Sequence, residues 1–413
     1  MKILWASHLI PYPPKSGVHL RSFNLLRGVA AQHEVDLIAF VQEAWLKVFY
    51  RSRAEGLAEC ERALGSFCRS VRFLSIDSLN RRGGKARTAL AGMLTPTCYT
   101  LRWLQSPVAR QVFAEAGRGQ YDLAHFDTIS LAPYRKFFAS LPATLGHHNV
   151  ESHILLRRAA NEGNLLKRAY FAQEGYRVQR YEARIAERFV AHFTCSDLDS
   201  ERLRAIAPRV NAITIPNGVD VEYFQSAGAE APVPRIIFVG SLNWYPNVEA
   251  VLFLLREVWP ALKAEVPQLR LDIVGSAPPA AVVALAANLP DVTVHGFVDD
   301  VRPYMDAAAL YICPIRDGGG TKLKLLDAFA MRKCVVAHPI ACEGIDAVPG
   351  RHVVHAESAA QFVRAIVDLL GRPEERSALG VAARQLVVER YSFAQIGRQL
   401  ADVFGALAAK AQS

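Results

Sequence analysis

The sequence predicts an α/β protein made of two Rossmann-like, doubly wound domains with a cleft between them. Three observations predict it. The chain has 413 residues, too many for one core and comfortable for two. Short apolar, β-rich runs alternate with longer segments of helical spacing, which argues for parallel sheets covered on both faces. The alternation starts afresh past the midpoint, so the theme is carried twice.

In the first half, residues 3–7, 35–40, 71–76, 123–126, 143–146, 193–195 and 212–215 read as strands, with helical patterns such as 20–32 and 151–191 between them. In the second half, 235–239, 269–274, 292–295, 310–313, 335–337 and 353–355 read as strands. The small, polar, Pro-containing stretch 225–234 reads as a linker that follows PNG at 216–218. The expected division is therefore 1–214 and 215–394.

Hydrophobic residues make up 51% and charged residues 21%, values of a globular protein rather than a disordered one. No apolar run is long enough to span a bilayer. The apolar N-terminus carries one early basic residue and soon meets His8, Pro11, Pro13 and Pro14, so it reads as a first buried strand and not as a leader. The expected location is the cytoplasm. The seven cysteines form no C-x-x-C pair and are scattered, which suits reduced thiols and argues against zinc.

Net charge is +9, unevenly spread: residues 1–215 hold 30 Lys and Arg against 18 Asp and Glu, the remainder 18 against 21. The first half is expected to meet something anionic. Arg81, Arg82, Lys85 and Arg87 precede an apolar stretch that ends in Tyr99–Leu104 with Trp103. That pattern suits either a segment lying on an anionic bilayer or an ordinary solvated loop and helix. The dense mixed charges of 157–188 read as the solvated face of one long helix or two.

Four stretches can carry chemistry. The turn 11–17, PYPPKSG, leads into a helix near Val18, where Gly17 and the helix start could meet phosphate, although Pro and Gly mark any βα turn. At 146–152, GHHNVES, polar side chains follow a strand, and His148 at such a position can donate to a sugar hydroxyl or phosphate oxygen. At 238–244, FVGSLNW, Ser241 and Asn243 stand in another strand–glycine–helix turn. The richest is 314–330, PIRDGGGTKLKLLDAFA. Gly319 and Gly320 let backbone approach a ligand, and Thr321 is a good N-cap. Lys322 in the first helical turn opposes the dipole and so calls for an anionic partner, while Asp327 can accept from ribose hydroxyls. The stretch lacks the Walker A spacing, which excludes that type of ATPase.

As a set, these residues resemble the retaining glycosyltransferases of the GT-B fold, in the large family four. The similarity extends to PNGVD at 216–220, CSD at 195–197 with ERL at 201–203, VHGFV at 294–298 and ERYSF at 389–393. A subgroup of bacterial envelope-polysaccharide transferases with a GGGT[KR] loop is most similar. The resemblance implies transfer of a sugar from a nucleotide-diphosphate donor to a glycan or lipid-linked acceptor. It implies a C-terminal helix, 395–413, that returns to the first domain. Gly17 would lie near donor phosphates or acceptor, and His148 near the transferred sugar. Phe297 and Val298 would touch the base, Lys322 would neutralise the diphosphate, and Asp327 would be the second acid of E-x7-E. The first acid falls at Gly319, for which Asp317 is a stand-in. The usual Arg and Lys after the first donor-domain strand are replaced near Ser241 and Asn247, with Lys322 and Arg316 supplying charge. No metal or other cofactor and no nucleic acid is expected. A sugar-nucleotide epimerase and a lapsed nucleotide-sugar-binding protein are the alternatives.

Overall fold

The computed structural model describes residues 1–76, 84–95, 97–228, 230–317 and 321–412. The chain divides into two compact units, Met1–Pro216 with Ala394–Ser413, and Asn217–Phe393. Each is a parallel sheet with helices in its crossovers, as the alternating pattern requires.

The first unit contains β1 (Lys2–Ser7), β2 (Glu34–Val41), β3 (Ser70–Ser75), β4 (Leu123–Phe126), β5 (Ala143–Gly146), β6 (Ala191–Thr194) and β7 (Ala212–Thr214). They are arranged in the order β3-β2-β1-β4-β5-β6-β7. The central strands are buried on both faces, which is why they read as apolar runs without alternation. The strand order reverses between β1 and β4.

The C-terminal helix Phe393–Gln412 closes this core. Ile396, Leu400, Ala401 and Phe404 pack with Ile3, Trp5, Leu25 and Val29. The contact depends on two glycines: a Cβ on Gly28 would meet Gly397 Cα at 2.5 Å, and one on Gly397 would meet Gly28 Cα at 2.8 Å. Arg21, buried on the helix Gly17–Ala30, donates to the carbonyls of Ile215 and Pro216, each at 2.7 Å, and so fixes the chain where this unit ends.

The stretch 157–188 belongs to two helices, Glu151–Asn161 and Leu165–Ile185, that pack on each other across a short turn. Not all its charges face solvent. Glu174 is buried and accepts from Tyr99 N, Thr100 N and Thr100 Oγ1. That tie holds 99–104 against the core: Leu101 and Leu104 are buried, and Trp103 Nε1 donates to Ser130 Oγ at 2.9 Å. The Trp103 segment, expected as a candidate for the bilayer surface, is thus built into the fold. Arg81 and Arg82 lie outside the described residues.

The second unit contains β8 (Arg235–Val239), β9 (Arg270–Val274), β10 (Val292–Gly296), β11 (Leu310–Cys313), β12 (Cys334–Ala337) and β13 (Val354–His355). Their order is β10-β9-β8-β11-β12-β13, all parallel, reversing between β8 and β11. All seven cysteines of the chain are free and buried, each behaving as a small apolar residue.

One buried carboxyl gives a stability test. Glu182 is 1% exposed; burial pushes its carboxyl up to about 7, although the Ser152 hydroxyl and amide both donate to it. A carboxyl raised by folding costs nothing below its unfolded pKa and costs most above its folded one. Glu182→Gln, which keeps an acceptor for Ser152, is expected to stabilise the protein by roughly 1–3 kcal/mol at about pH 8.5 and to have little effect at about pH 4. Urea unfolding at the two pH values checks this.

Candidate functional site

In open parallel sheets, ligands bind outside the carboxyl ends of the strands where the strand order reverses, because loops there diverge to opposite faces. Both units gather polar side chains at that point.

In the first unit, Ser7 and His8 come at the end of β1, Asp127 follows β4 and His148 follows β5. Asp127 is the hub. Ser22 Oγ donates to its Oδ2 at 2.9 Å and Ser7 Oγ at 3.2 Å. His148 Nε2 lies 3.2 Å from Oδ1, and His8 Nδ1 lies 3.7 Å from Oδ2. These are ion-pair distances rather than aligned hydrogen bonds. Burial is the largest influence on Asp127 and opposes ionisation. The combined pull of His148 and His8 outweighs it and holds the carboxyl well below its usual range.

The adjacent histidines separate because successive residues leaving a strand point to opposite faces. His147 turns inward, where its Nε2 meets His192 Nδ1 at 3.0 Å and burial keeps it neutral. His148 turns to Asp127 and lines an open pocket with His8, Trp103, Thr128 and Glu151.

Gly17 opens its helix beside this cluster. Ser16 caps nothing with its side chain; its Oγ is 2.7 Å from His19 Nδ1 instead. His19 stacks on Trp45 with ring centroids 3.9 Å apart, and burial, then His8 and His148, lower it to about 4. The donor atoms of His8, Asp127 and His148 lie within 4.8 Å of one another. That set suits a sugar hydroxyl that accepts from an imidazole and donates to the carboxylate, and its spacing also matches a metal ion.

In the second unit the loops after β8 and β11 meet. A Cβ on Gly275 would fall 1.9 Å from Gly240 O, so backbone packs against backbone here. Ser241 Oγ bonds Asn243 Oδ1 at 2.9 Å and Ser276 Oγ at 2.8 Å, which ties the loop to the one after β9. Asp317 accepts from Tyr245 Oη at 2.8 Å.

Gly319 and Gly320 lie outside the described residues. Thr321 was expected as N-cap, with Lys322 in the first turn. The helix instead spans Leu323–Ala330, and Lys322 is its extended N-cap residue, with no capping side chain. Thr321 Oγ1 is buried without a partner among the described residues. Asp327, one turn in, is half-exposed over the residue as a whole, yet burial around the carboxyl raises it to about 7. Phe297 is 68% exposed after β10, whereas Val298 packs on the core, so of the expected pair only the phenyl ring is fully presented.

His8, Asp127 and Lys324 were not singled out from sequence, and Asn247 only as a position where the resemblance leads to a missing cation. His8 and Asp127 follow the ends of apolar strands just as His148 does, so the same signal was there to be used.

Residues 233–372 match the family model described as glycosyl transferases group 1. A phosphatidyl-myo-inositol mannosyltransferase of Mycobacterium tuberculosis is 27% identical over 234 residues, 54% of this chain and 61% of that protein. The chain thus spans less than two thirds of the length of this curated relative. Among solved structures, the sucrose-phosphate synthase of Thermosynechococcus elongatus superposes with a TM-score of 0.71 at 16% identity, over 99% of this chain and 100% of that one. HepE of Anabaena, solved with UDP and glucose, gives 0.65 at 15% over 98% and 100%.

Gly275→Ala is expected to destabilise the second unit by roughly 1–3 kcal/mol, because its Cβ meets a backbone carbonyl that cannot rotate away. Gly371→Ala, whose nearest contact would be at 3.6 Å, is the control. Thermal unfolding of both variants measures the difference. Through residues 233–372 the second unit is related to the group 1 glycosyl transferases, and the chain has the two Rossmann-like domains of the GT-B fold.

Proposed function

We propose that this protein is a glycosyltransferase that moves a sugar from a nucleotide diphosphate to a hydroxyl of a glycan or lipid-linked acceptor. The observation that carries the reading is the pair of polar constellations, each at the strand reversal of its own Rossmann-like unit. The second unit, whose sequence is related to group 1 glycosyl transferases, takes the nucleotide. Its glycine-lined loop, cationic side chains and helix start offer positive potential to a diphosphate. Asp327 serves the ribose, and Phe297 the base.

In the reaction, the bond from the anomeric carbon to the β-phosphate oxygen breaks while the acceptor oxygen bonds to that carbon. The acceptor's proton passes to the departing diphosphate. Charge that grows on the phosphate is met by preorganised donors, which is the main way such a site lowers a barrier. The acceptor attacks on the face the diphosphate leaves, giving retention. His148, held by Asp127, donates to a hydroxyl of the transferred sugar. No metal is required in this scheme.

A thermal-shift panel of UDP-, GDP-, ADP- and dTDP-sugars tests it, since a ligand specific to the folded state raises Tm. One base is expected to stabilise the protein and to support turnover that survives a chelator. His148→Ala is expected to lower turnover by roughly 100-fold or more, in the range of a lost positioned donor. Release of free sugar without acceptor points to the epimerase-type reading, and binding without turnover to the lapsed one.

The basic first unit favours an acceptor at an anionic membrane, on the cytoplasmic side. Leu165 and Leu166 are 76% and 84% exposed at the turn between the two helices, beside exposed Arg158, Lys167 and Arg168. Apolar side chains ringed by cations suit a headgroup boundary. In flotation with phosphatidylglycerol-containing vesicles, the protein is expected to rise at low salt and a Leu165→Ser, Leu166→Ser variant to stay down. Equal flotation of both would remove this surface from the proposal.

A further inference from the structure

Lys324 is the second residue of the helix that follows β11, and its ammonium is packed beneath the loop that follows β8. A Cβ on Gly240 would meet its Nζ at 2.5 Å. Nζ donates to Asn247 Oδ1, and it sits 5.2 Å from the centre of the Phe238 ring. Asn247 is oriented for this by its own donation from Nδ2 to Ser241 O at 2.6 Å. Among the described residues no carboxylate lies within ion-pair distance of Nζ. Among the described residues Asn247 Oδ1 is the one hydrogen-bond acceptor of Nζ.

Enclosing an ammonium behind one neutral acceptor is costly, and a lysine in the first turn of a helix opposes the dipole as well. Nothing in the packing requires the charge, since an apolar side chain of the same length would fill the space. The location supplies the reason. Nζ lies where the loops after β8 and β11 diverge, at the strand reversal of this unit.

We propose that Lys324 is the cation that engages the phosphates of a nucleoside diphosphate in the second unit, with Lys322 in a lesser role. This rests on the reading of that unit as nucleotide-binding. The anion would occupy the free directions of the ammonium. Burial lowers Lys324 to about 8 in the free protein. The titratable groups facing it are Cys313 on β11, whose thiol burial pushes up, and Lys322 and Asp327 on its own segment. Only the protonated amine attracts phosphate, so affinity must fall as pH rises through that value. The terminal phosphate of a nucleoside diphosphate is already ionised in this range.

Calorimetric titration of the full chain with UDP, GDP, uridine and guanosine tests this. The diphosphate that binds is expected to lose at least about tenfold in affinity in Lys324→Met, with a smaller loss in Lys322→Ala, while its nucleoside binds both alike. For the native protein, diphosphate affinity is expected to drop by roughly tenfold between about pH 8 and about pH 9.5, with none of that drop for the nucleoside. A Lys324→Met variant within about twofold of native overturns the assignment. Should that variant not fold, a flat native profile over the same pH range overturns it. Native protein that binds neither diphosphate overturns the nucleotide reading itself, and this assignment with it.

Discussion

Everything functional in this molecule depends on one topological constraint: each sheet is wound outward in both directions from an interior strand. After β1 the chain fills one side with β2 and β3, then crosses to place β4 on the other, and after β8 it does the same with β9, β10 and β11. At the carboxyl ends of these paired strands, the connections leave toward opposite faces, the geometry that opens a crevice in such sheets. The backbone amides of Asp127 and Gly240 are satisfied by neighbouring strands, and it is side chains that gather there. Buried polar groups are destabilising unless paired, so the fold collects them where a ligand can complete the pairing.

The two units meet this constraint with opposite charge. The first holds a carboxylate, Asp127, ionised in the core by two serine hydroxyls and two imidazoles. An acceptor surrounded by hydroxyls and imidazoles is a polar, nearly balanced site, and it suits hydroxyl groups. The second holds an ammonium, Lys324, facing a neutral amide and a phenyl ring. A cation short of countercharge suits phosphate. The proposed division of labour between an uncharged polyol and a diphosphate rests on this difference.

Much of this was legible in the sequence. Each of the thirteen strands among the described residues answers to an apolar run, because in a sheet covered on both faces burial and β-propensity select the same residues. His148 was found because a polar residue after such a run has few structural reasons to be there. Asp127 gave the same signal, but a single acid beside a strand end is common, and its meaning comes from Ser7 and Ser22, over a hundred positions away in sequence. The Trp103 segment stayed open between two readings for a similar reason: a local pattern of cations and aromatics does not reveal Glu174, whose carboxylate ties 99–100 to the core. Lys322 and Lys324 are two positions apart, so helix geometry points them in different directions, and their order along the chain does not say which one faces the loop after β8.

That last ambiguity is resolved by depth rather than by charge. Among the described residues the segments after β8 and β11 are tied by Tyr245 and Asp317 near the surface and by Asn247 and Lys324 beneath them. The inner tie is enclosed by Gly240 and by the ring of Phe238, so the ammonium has little room to move. A phosphate held by an exposed lysine must immobilise a long, hydrated side chain, whereas one held by a lysine already fixed does not bear that entropic cost. Preorganisation of this kind matters most when charge develops late, as it does on a departing diphosphate, because the donor need not rearrange while the bond breaks. The Gly240 loop and the helix of Lys324 therefore act as one unit, and a change that loosens their contact is expected to weaken the site even where no ligand atom touches it.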